Sequence, residues 1–532
     1  MSAGGWSRPW RRSFPVADRR PAKVIMVQGT SSHAGKSLLA TALCRIFARD
    51  GYQVAPFKAQ NMSLNSYVTP DGGEIGRSQA VQAAAAMVAP RVEMNPVLLK
   101  PEAESRSQVV VMGRPRSVRS ARDYDALKPT IWPEVRAALD SLRREFDVVV
   151  IEGAGSPAEI NLKQSEIANM RVARYAGAPV LLVGDIDRGG VFAQLVGTMV
   201  LLDPEERALV KGHVINKFRG DPSLLGPGLD FLEERTGVPV AGVLPHIGAL
   251  RLPEEDSLGL APESGDDGAA VVDVAVMRLP HIANFDDFDP LRHEAGVRVR
   301  YVDDAGAFGR PDLIVIPGSK TTVDDLEWLR GSGLAARIVS ARREGTPVIG
   351  ICAGYQMLGR ELRDPHGVES SRPLAEGLGL LPTSTTFLQE KVTHQAAVRV
   401  VDGRGLLAGC DGAAFSAYEI HMGISSGGAA GPPFRIDTRS DQPVDSPDGA
   451  LDDEGLTLGT YLHGLFQNRA LRRRVLENIA SRAGAVLPPP VAEIDVEAEY
   501  DRLAAMVREH LDLDLIRRVM GLEDGAPAAR GS

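Results

Sequence analysis

The run Gly29-Thr-Ser-Ser-His-Ala-Gly35-Lys36-Ser37 constrains the fold more than any other stretch of the chain. It follows an apolar, β-branched run, VIMVQG, and leads into a segment in which Leu38, Leu39, Ala42, Leu43, Ile46 and Phe47 recur at helical spacing. A second strand-like run, QVAPFK, comes next. Strand, glycine-rich turn, helix and strand make a βαβ unit, which requires a parallel sheet with helices on its faces. Backbone N–H groups in such a turn and at the start of its helix cradle phosphates. Gly29, Thr30, Gly35, Lys36 and Ser37 are therefore read as an ATP site, with Lys36 on the terminal phosphates and Ser37 on Mg2+. The turn is one residue longer than the common phosphate-loop spacing.

The same rhythm continues through DVVVIEG (147–153), PVLLVGDI (179–186), HVINKF (213–218) and VPVAGVLP (238–245). An acidic stretch rich in Pro and Gly, from Arg251 to Gly268, then breaks it and reads as a linker. A second series follows in VVDVAVMRL (271–279), RVRYVD (298–303), DLIVIPGS (312–319) and PVIGIC (347–352), with further strands at Val392–Val401 and Leu456–Leu462. One amphipathic helix is expected over Asp495–Met520, with Leu503, Met506, Val507 and Leu511 on its stripe. A chain of 532 residues is too long for one core. The expected architecture is α/β with two doubly wound domains: a phosphate-loop domain over 23–250, a linker over 251–270, a second domain over 271–485 and a helical tail over 486–532. Residues 1–22 carry several arginines without an apolar segment behind them, and read as a disordered leader or an early start codon rather than a targeting signal.

Charge and cysteine content narrow the function. A net charge of −9 argues against a nucleic-acid partner, which calls for a basic surface. Cys44, Cys352 and Cys410 form no CxxC pair, so neither a disulfide framework nor a zinc site is indicated and a reducing cytoplasm is expected. No apolar run approaches the ~18 residues that span a bilayer.

Further candidates sit at strand ends. Glu152 in VIEGAG is placed to complete a Mg2+ site with Ser37, and Asn216, followed by Lys217 in VINKF, is read as an adenine contact. In the second series, Gly350-Ile-Cys352-Ala-Gly354-Tyr-Gln356 follows an apolar strand and precedes a helical segment, the pattern of a nucleophile elbow with cysteine in place of serine. Small neighbours allow the strained turn, and a helix N-terminus favours a thiolate. His463, after the strand that ends in TYLHG, is the candidate base. Cys44 and Cys410 lack such a setting and are read as structural.

Three resemblances extend this reading. The long phosphate loop together with VIEGAG resembles the dethiobiotin synthetase-like group of phosphate-loop enzymes, which activate carboxylates or carbamates with ATP; this implies that Lys58, in APFKAQN, stabilises the transferred phosphoryl group. A partition ATPase would carry a signature lysine where this chain has Gln28, Gly29 and Thr30. GICAGYQ, DLIVIPGS and TYLHG resemble the stations of class I glutamine amidotransferases. That resemblance implies that Cys352 attacks the glutamine carboxamide, that His463 shuttles protons, and that N–H groups near Gly318 and Ala353 form an oxyanion hole. Many members of the class carry an acid two residues after the histidine; here it is Leu465. A Cys–His dyad is expected, with Glu419 a possible substitute acid and His421 structural or in contact with substrate.

The segments FKAQNMSLNSYVTPDGGEIGRSQAVQAAAA (57–86), NPVLLKP (95–101) and VMRLPHIANFDDFDPL (276–291) resemble the cobyric acid synthase family of cobalamin biosynthesis, from about Lys23 to the C-terminal helix. The resemblance implies amidation of the b, d, e and g carboxylates of adenosylcobyrinic acid a,c-diamide, with one ATP and one glutamine for each. Asn61 and Asn65, in the polar stretch Gln60–Ser66, are then expected to meet the corrinoid. Ammonia should pass between the sites by a protected path. The alternatives are the sister cobyrinic acid a,c-diamide synthases, which lack KAQNMSLNS, and a phosphate-loop ATPase carrying a non-hydrolysing glutaminase-like module.

Overall fold

Six apolar runs of the N-terminal half pair in one parallel sheet: β1 (Lys23–Gly29), β2 (Val54–Phe57), β3 (Val148–Glu152), β4 (Val180–Asp185), β5 (Val210–Phe218) and β6 (Val240–Pro245), in the order β6-β5-β4-β1-β3-β2. This is a computed structural model, and it describes residues 20–103, 106–248, 250, 252, 270–427 and 431–522. Residues 1–19 of the leader, nearly all of the linker and the last ten residues of the tail lie outside the described residues. β3 and β4 are buried along their whole length, as strands covered on both faces must be. Helix α1 (Lys36–Arg49) buries Leu39, Ala42, Leu43, Ile46 and Phe47. Leu38, expected on that face, is instead 38% exposed, because its position lies on the flank of the stripe.

Between β2 and β3 the chain makes an elaboration that hydrophobic periodicity did not reveal. Strands Gln60–Met62, Val97–Ala103, Arg106–Val111 and Arg114–Ser120 form a four-stranded mixed sheet. Beside it lies helix α2 (Arg77–Ala85), in which all nine residues are buried.

The second half repeats the parallel plan. Strands β7 (Val272–Met277), β8 (Val297–Val302), β9 (Leu313–Ile316), β10 (Val348–Ile351), β11 (Ala450–Leu451) and β12 (Thr457–Thr460) are ordered β8-β7-β9-β10-β12-β11, with only β11 antiparallel. Helix α3 (Ala353–Leu358) follows β10 directly. A five-stranded antiparallel sheet built from Val392–Val400, Ala414–His421, Phe434–Arg439, Gln442–Asp448 and Leu462–His463 lies alongside.

The tail forms two helices rather than the single one expected: α4 (Val496–His510) and α5 (Leu513–Met520). Leu511 turns extended to bridge Gly242, the Asp512 N–H donates to Ala241 O at 2.7 Å, and the Asp512 side chain accepts from Leu515 N to start α5. Both helices return to the first sheet, where Tyr500, Leu503, Val507 and Ile516 share a core with Leu39, Leu43 and Phe47. Arg45, fully buried on α1, is paired with Glu497 at 2.8 Å and Asp501 at 2.7 Å. Among the described residues no helix is long and apolar enough to cross a membrane.

Candidate active site

Three adjacent strands, β1, β3 and β2, bring the predicted nucleotide residues together at their C-terminal ends, where open α/β sheets bind ligands. Lys36 Nζ donates to Ser31 O at 2.8 Å and to Gly155 O at 3.0 Å, so the lysine curls over its own loop. Glu152 is the hub. Its Oε1 accepts from Ser37 Oγ and from Lys58 Nζ, both at 2.8 Å, and its Oε2 accepts from Gln82 Nε2 at 2.5 Å. Burial alone would raise the proton affinity of this carboxyl, but Lys58 and the three hydrogen bonds outweigh it and hold Glu152 ionised.

A hydroxyl and a carboxylate oxygen in contact are the hard donors that Mg2+ takes alongside water and phosphate, so Ser37 and Glu152 fit that ion. Asn216 lies at the end of β5, but its amide Nδ2 donates to Ala34 O at 2.9 Å. That bond braces the phosphate loop. A Cβ at Gly35, which has φ +98°, would come within 1.9 Å of that nitrogen, so the brace and the glycine require each other.

Asn61 and Asn65, expected to meet the corrinoid, are held by hydrogen bonds within the protein. Both are buried: Asn61 Nδ2 donates to Gln79 Oε1 at 2.9 Å, and Asn65 Oδ1 accepts from Phe285 N, in the other half of the chain, at 3.2 Å. A buried amide must find protein partners, and these have done so.

The second constellation also sits at three neighbouring strand ends: Gly318 after β9, Cys352 after β10 and His463 beyond β12. Cys352 has φ 54° and ψ −108°, a strained backbone for a residue with a Cβ. Its small neighbour is a steric need, because a Cβ at Gly354 would come within 1.9 Å of Ile316 O. A Cβ at Gly318 would reach 3.2 Å from His463 Cε1 and 3.8 Å from Cys352 Cβ, which shows how closely the three residues gather. Ala353 is the first residue of α3, where N–H groups have no intrahelical acceptor.

His463 Nδ1 lies 2.7 Å from Asp287 Oδ2, and Asp287 Oδ1 accepts from Gly464 N at 2.8 Å. The ring stacks on Tyr418 with centroids 5.0 Å apart, and its Nε2 has no hydrogen-bond partner at ordinary distance. Burial works against a charged imidazole here, yet Asp287, with a further contribution from Cys352, lifts the His463 pKa to about 10. An imidazolium beside a sulfur stabilises a thiolate.

The dyad expected from sequence is thus corrected to a three-residue line, and its acid is Asp287. Glu419 does not meet His463. Tyr418 pairs with His463 across two antiparallel strands, so Glu419 lies on the other face of its strand, where Arg439 holds it at 2.6 and 2.9 Å and His421 Nε2 lies 3.6 Å away. Leu465 is a core residue. His421 stacks on Tyr461 and lines the cavity in front of Cys352. That cavity is walled by both halves of the chain: Cys352, His463, Lys320 and Lys391 from one, Lys100 and Gln108 from the other. Cys44 and Cys410 are buried away from it, and burial pushes both thiols up.

Residues 25–258 match the CobQ/CobB/MinD/ParA nucleotide binding domain, and residues 273–471 match the CobB/CobQ-like glutamine amidotransferase domain. A cobyric acid synthase from Dehalococcoides mccartyi (strain CBDB1) is 53% identical over 500 residues, covering 94% of this chain and 99% of its own. Those of Moorella thermoacetica and Sorangium cellulosum are 54% and 51% identical over 506 and 518 residues, each covering 94% of this chain and 98% and 99% of their own. The chain belongs to the cobyric acid synthase family. It is a glutamine-amidotransferase ligase with a nucleotide-binding domain, a plan shared with the a,c-diamide synthase sister, and it is the identity above 50% to cobyric acid synthases over 94% of the chain that favours this family. Within the family frame, the residue that sequence reasoning missed is Asp287. Its signal was present in the FDDFDP run, where acidic residues alternate with apolar ones, but nothing in the sequence tied that run to a histidine 176 residues away.

Proposed function

We propose that the chain amidates the b, d, e and g carboxylates of adenosylcobyrinic acid a,c-diamide, using one ATP and one glutamine for each amide. The first unit, residues 23–250 together with the returning helices of the tail, is the synthetase, and residues 271–485 are the glutaminase. A substrate carboxylate oxygen takes the γ-phosphoryl group of ATP, giving an acyl phosphate and ADP. Lys36 and Lys58 oppose the charge that moves with the phosphoryl group. Mg2+, held by Ser37 and Glu152, would neutralise phosphate charge.

At the other site Cys352 Sγ attacks the side-chain carbonyl of glutamine, and N–H groups at Gly318 and Ala353 receive the oxyanion. His463, kept charged by Asp287, gives its proton to the departing ammonia. Water then cleaves the thioester to glutamate. Ammonia attacks the acyl phosphate, an amide forms and phosphate leaves. We assign the reaction to the cytoplasm, where three unpaired cysteines persist as thiols.

The observation that carries this reading is the Asp287–His463 pair, set beside a strained Cys352 in a cavity that the phosphate-loop unit helps to wall. The test is mass spectrometry of the a,c-diamide incubated with protein, ATP, Mg2+ and glutamine. Four successive exchanges of OH for NH2 are expected. An unchanged acceptor, or reaction only with the undiamidated acid, would overturn the assignment.

A further inference from the structure

The turn that carries Asp287 is gripped by the opposite half of the molecule. Asp287 lies in a short 3-10 turn, Phe285–Phe288, that follows Asn284 in a left-handed conformation. From the phosphate-loop unit, Ser66 N donates to Asn284 Oδ1 at 2.9 Å, and Asn65 Oδ1 accepts from Phe285 N. Asn65 O in turn accepts from Arg77 N at 3.1 Å, at the first residue of α2. The Arg77 guanidinium, buried and lying over the Tyr67 ring, places Nη2 2.7 Å from Asp286 Oδ2.

The chemistry of this arrangement is specific. Asp286 and Asp287 are consecutive, both fully buried, and only one imidazole stands among them. Two like charges held this close in a dry site compete for the same cation, and one of them must be neutralised from elsewhere. Neither Asp286 carboxylate oxygen has a directed hydrogen bond, and burial together with the neighbouring Asp287 charge raises its proton affinity; the ionic contact with Arg77 is the main influence that opposes this and favours the carboxylate. Arg77 leaves Asp287 as the carboxylate that polarises His463.

We infer that Arg77, supplied by the synthetase domain, is a positioning residue of the glutaminase: by pairing with Asp286 it completes the charge balance that lets Asp287 hold His463 ready beside Cys352. The inference rests on the assignment of Cys352 and His463 made above. It gives a physical use to the polar segment around Asn65, which grips the turn. It also makes α2 a two-ended element. Arg77 at its start meets the turn of Asp287, and Gln82, five residues on, donates to Glu152 in the nucleotide site.

The test is glutamate release from glutamine by the full chain, with ammonia-driven amidation followed in parallel. Arg77→Gln is expected to lower kcat for glutamine hydrolysis by about 10- to 100-fold, the scale for a partner acting through a neighbour of the reactive group. Its glutamine KM should change little, and Arg77→Lys should recover part of the loss. The decisive variant is Arg77→Gln combined with Asp286→Asn. Removing the second charge as well should restore hydrolysis well above that of Arg77→Gln alone, even if the single variant folds poorly. Wild-type rates in Arg77→Gln, or a double variant no better than the single one, would overturn the inference alone. A wild-type protein that releases no glutamate would overturn the glutaminase reading and this inference with it.

Discussion

Asp287 holds His463 with one carboxylate oxygen and the Gly464 N–H with the other, so its amide analogue would keep the shape and lose the charge. Asp287→Asn is expected to lower glutamine-dependent amidation by roughly 10,000-fold, as for the orienting acid of a hydrolase triad, while ammonia-driven amidation continues. Glu419→Gln should leave glutamine hydrolysis much nearer to wild type, because Glu419 serves Arg439. Comparing glutamate release by the two variants checks this. The pair also has a pH signature. His463 keeps its proton in the folded chain up to about 10, against 6.5 when unperturbed, so its stabilisation is complete below pH 6.5 and fades as pH climbs through about 10. The urea midpoint of wild type should fall over that window by more than that of Asp287→Asn. Cys352, His463, Lys36, Ser37 and Glu152 were legible in the sequence because strand–turn–helix patterns give such residues local context. Asp287 was not, since its role depends on a contact between distant turns, and the grip of Asn65 on that turn was not, because a polar loop looks the same whether it meets a ligand or another domain.

Both doubly wound sheets could be read from their apolar runs, since strands buried on two faces leave an uninterrupted signal. The returning tail could not: its stripe of Leu503, Val507 and Leu511 announces a buried face without naming the surface it meets. That surface is α1, the helix that begins at Lys36 and Ser37, so α4 stabilises the element on which the nucleotide site is built. Tyr500, fully buried between Arg45 and the α1 core, is a direct probe. Tyr500→Ala should cost roughly 3–5 kcal/mol in denaturant unfolding, the range for emptying an aromatic site. An unchanged midpoint would mean that the tail contributes nothing to the first unit. The mixed sheet around Val97–Ser120 escaped the sequence reading because its strands carry polar and charged residues, as in KPEA and RPRSVRS, which breaks the apolar run that marks the other strands.

The two units meet through a buried ionic cluster as well as through the turn at Asp287. Glu74, fully buried, lies between Lys100 of its own unit, 2.7 Å away, and Lys391 of the other. Both lysines hold its carboxyl far below the usual range, although burial alone would raise it. Glu74→Gln would leave two buried ammonium groups without their acid and should destabilise the chain by roughly 3–5 kcal/mol. Calorimetry should show the two units separating at lower temperature. Lys100 and Lys391 also wall the cavity before Cys352, so the interface and the glutaminase pocket are one structure. On the proposed function, ammonia released there, at the boundary between the units, passes to the acyl phosphate without first mixing with ammonia in bulk solvent. The most direct measurement of that claim is to supply glutamine labelled with heavy nitrogen in its side-chain amide, together with an excess of unlabelled ammonium, and to read the label in the corrinoid amides. Internal delivery predicts amides that carry the glutamine label almost undiluted; amides labelled only in proportion to the bulk ammonia pool would contradict it.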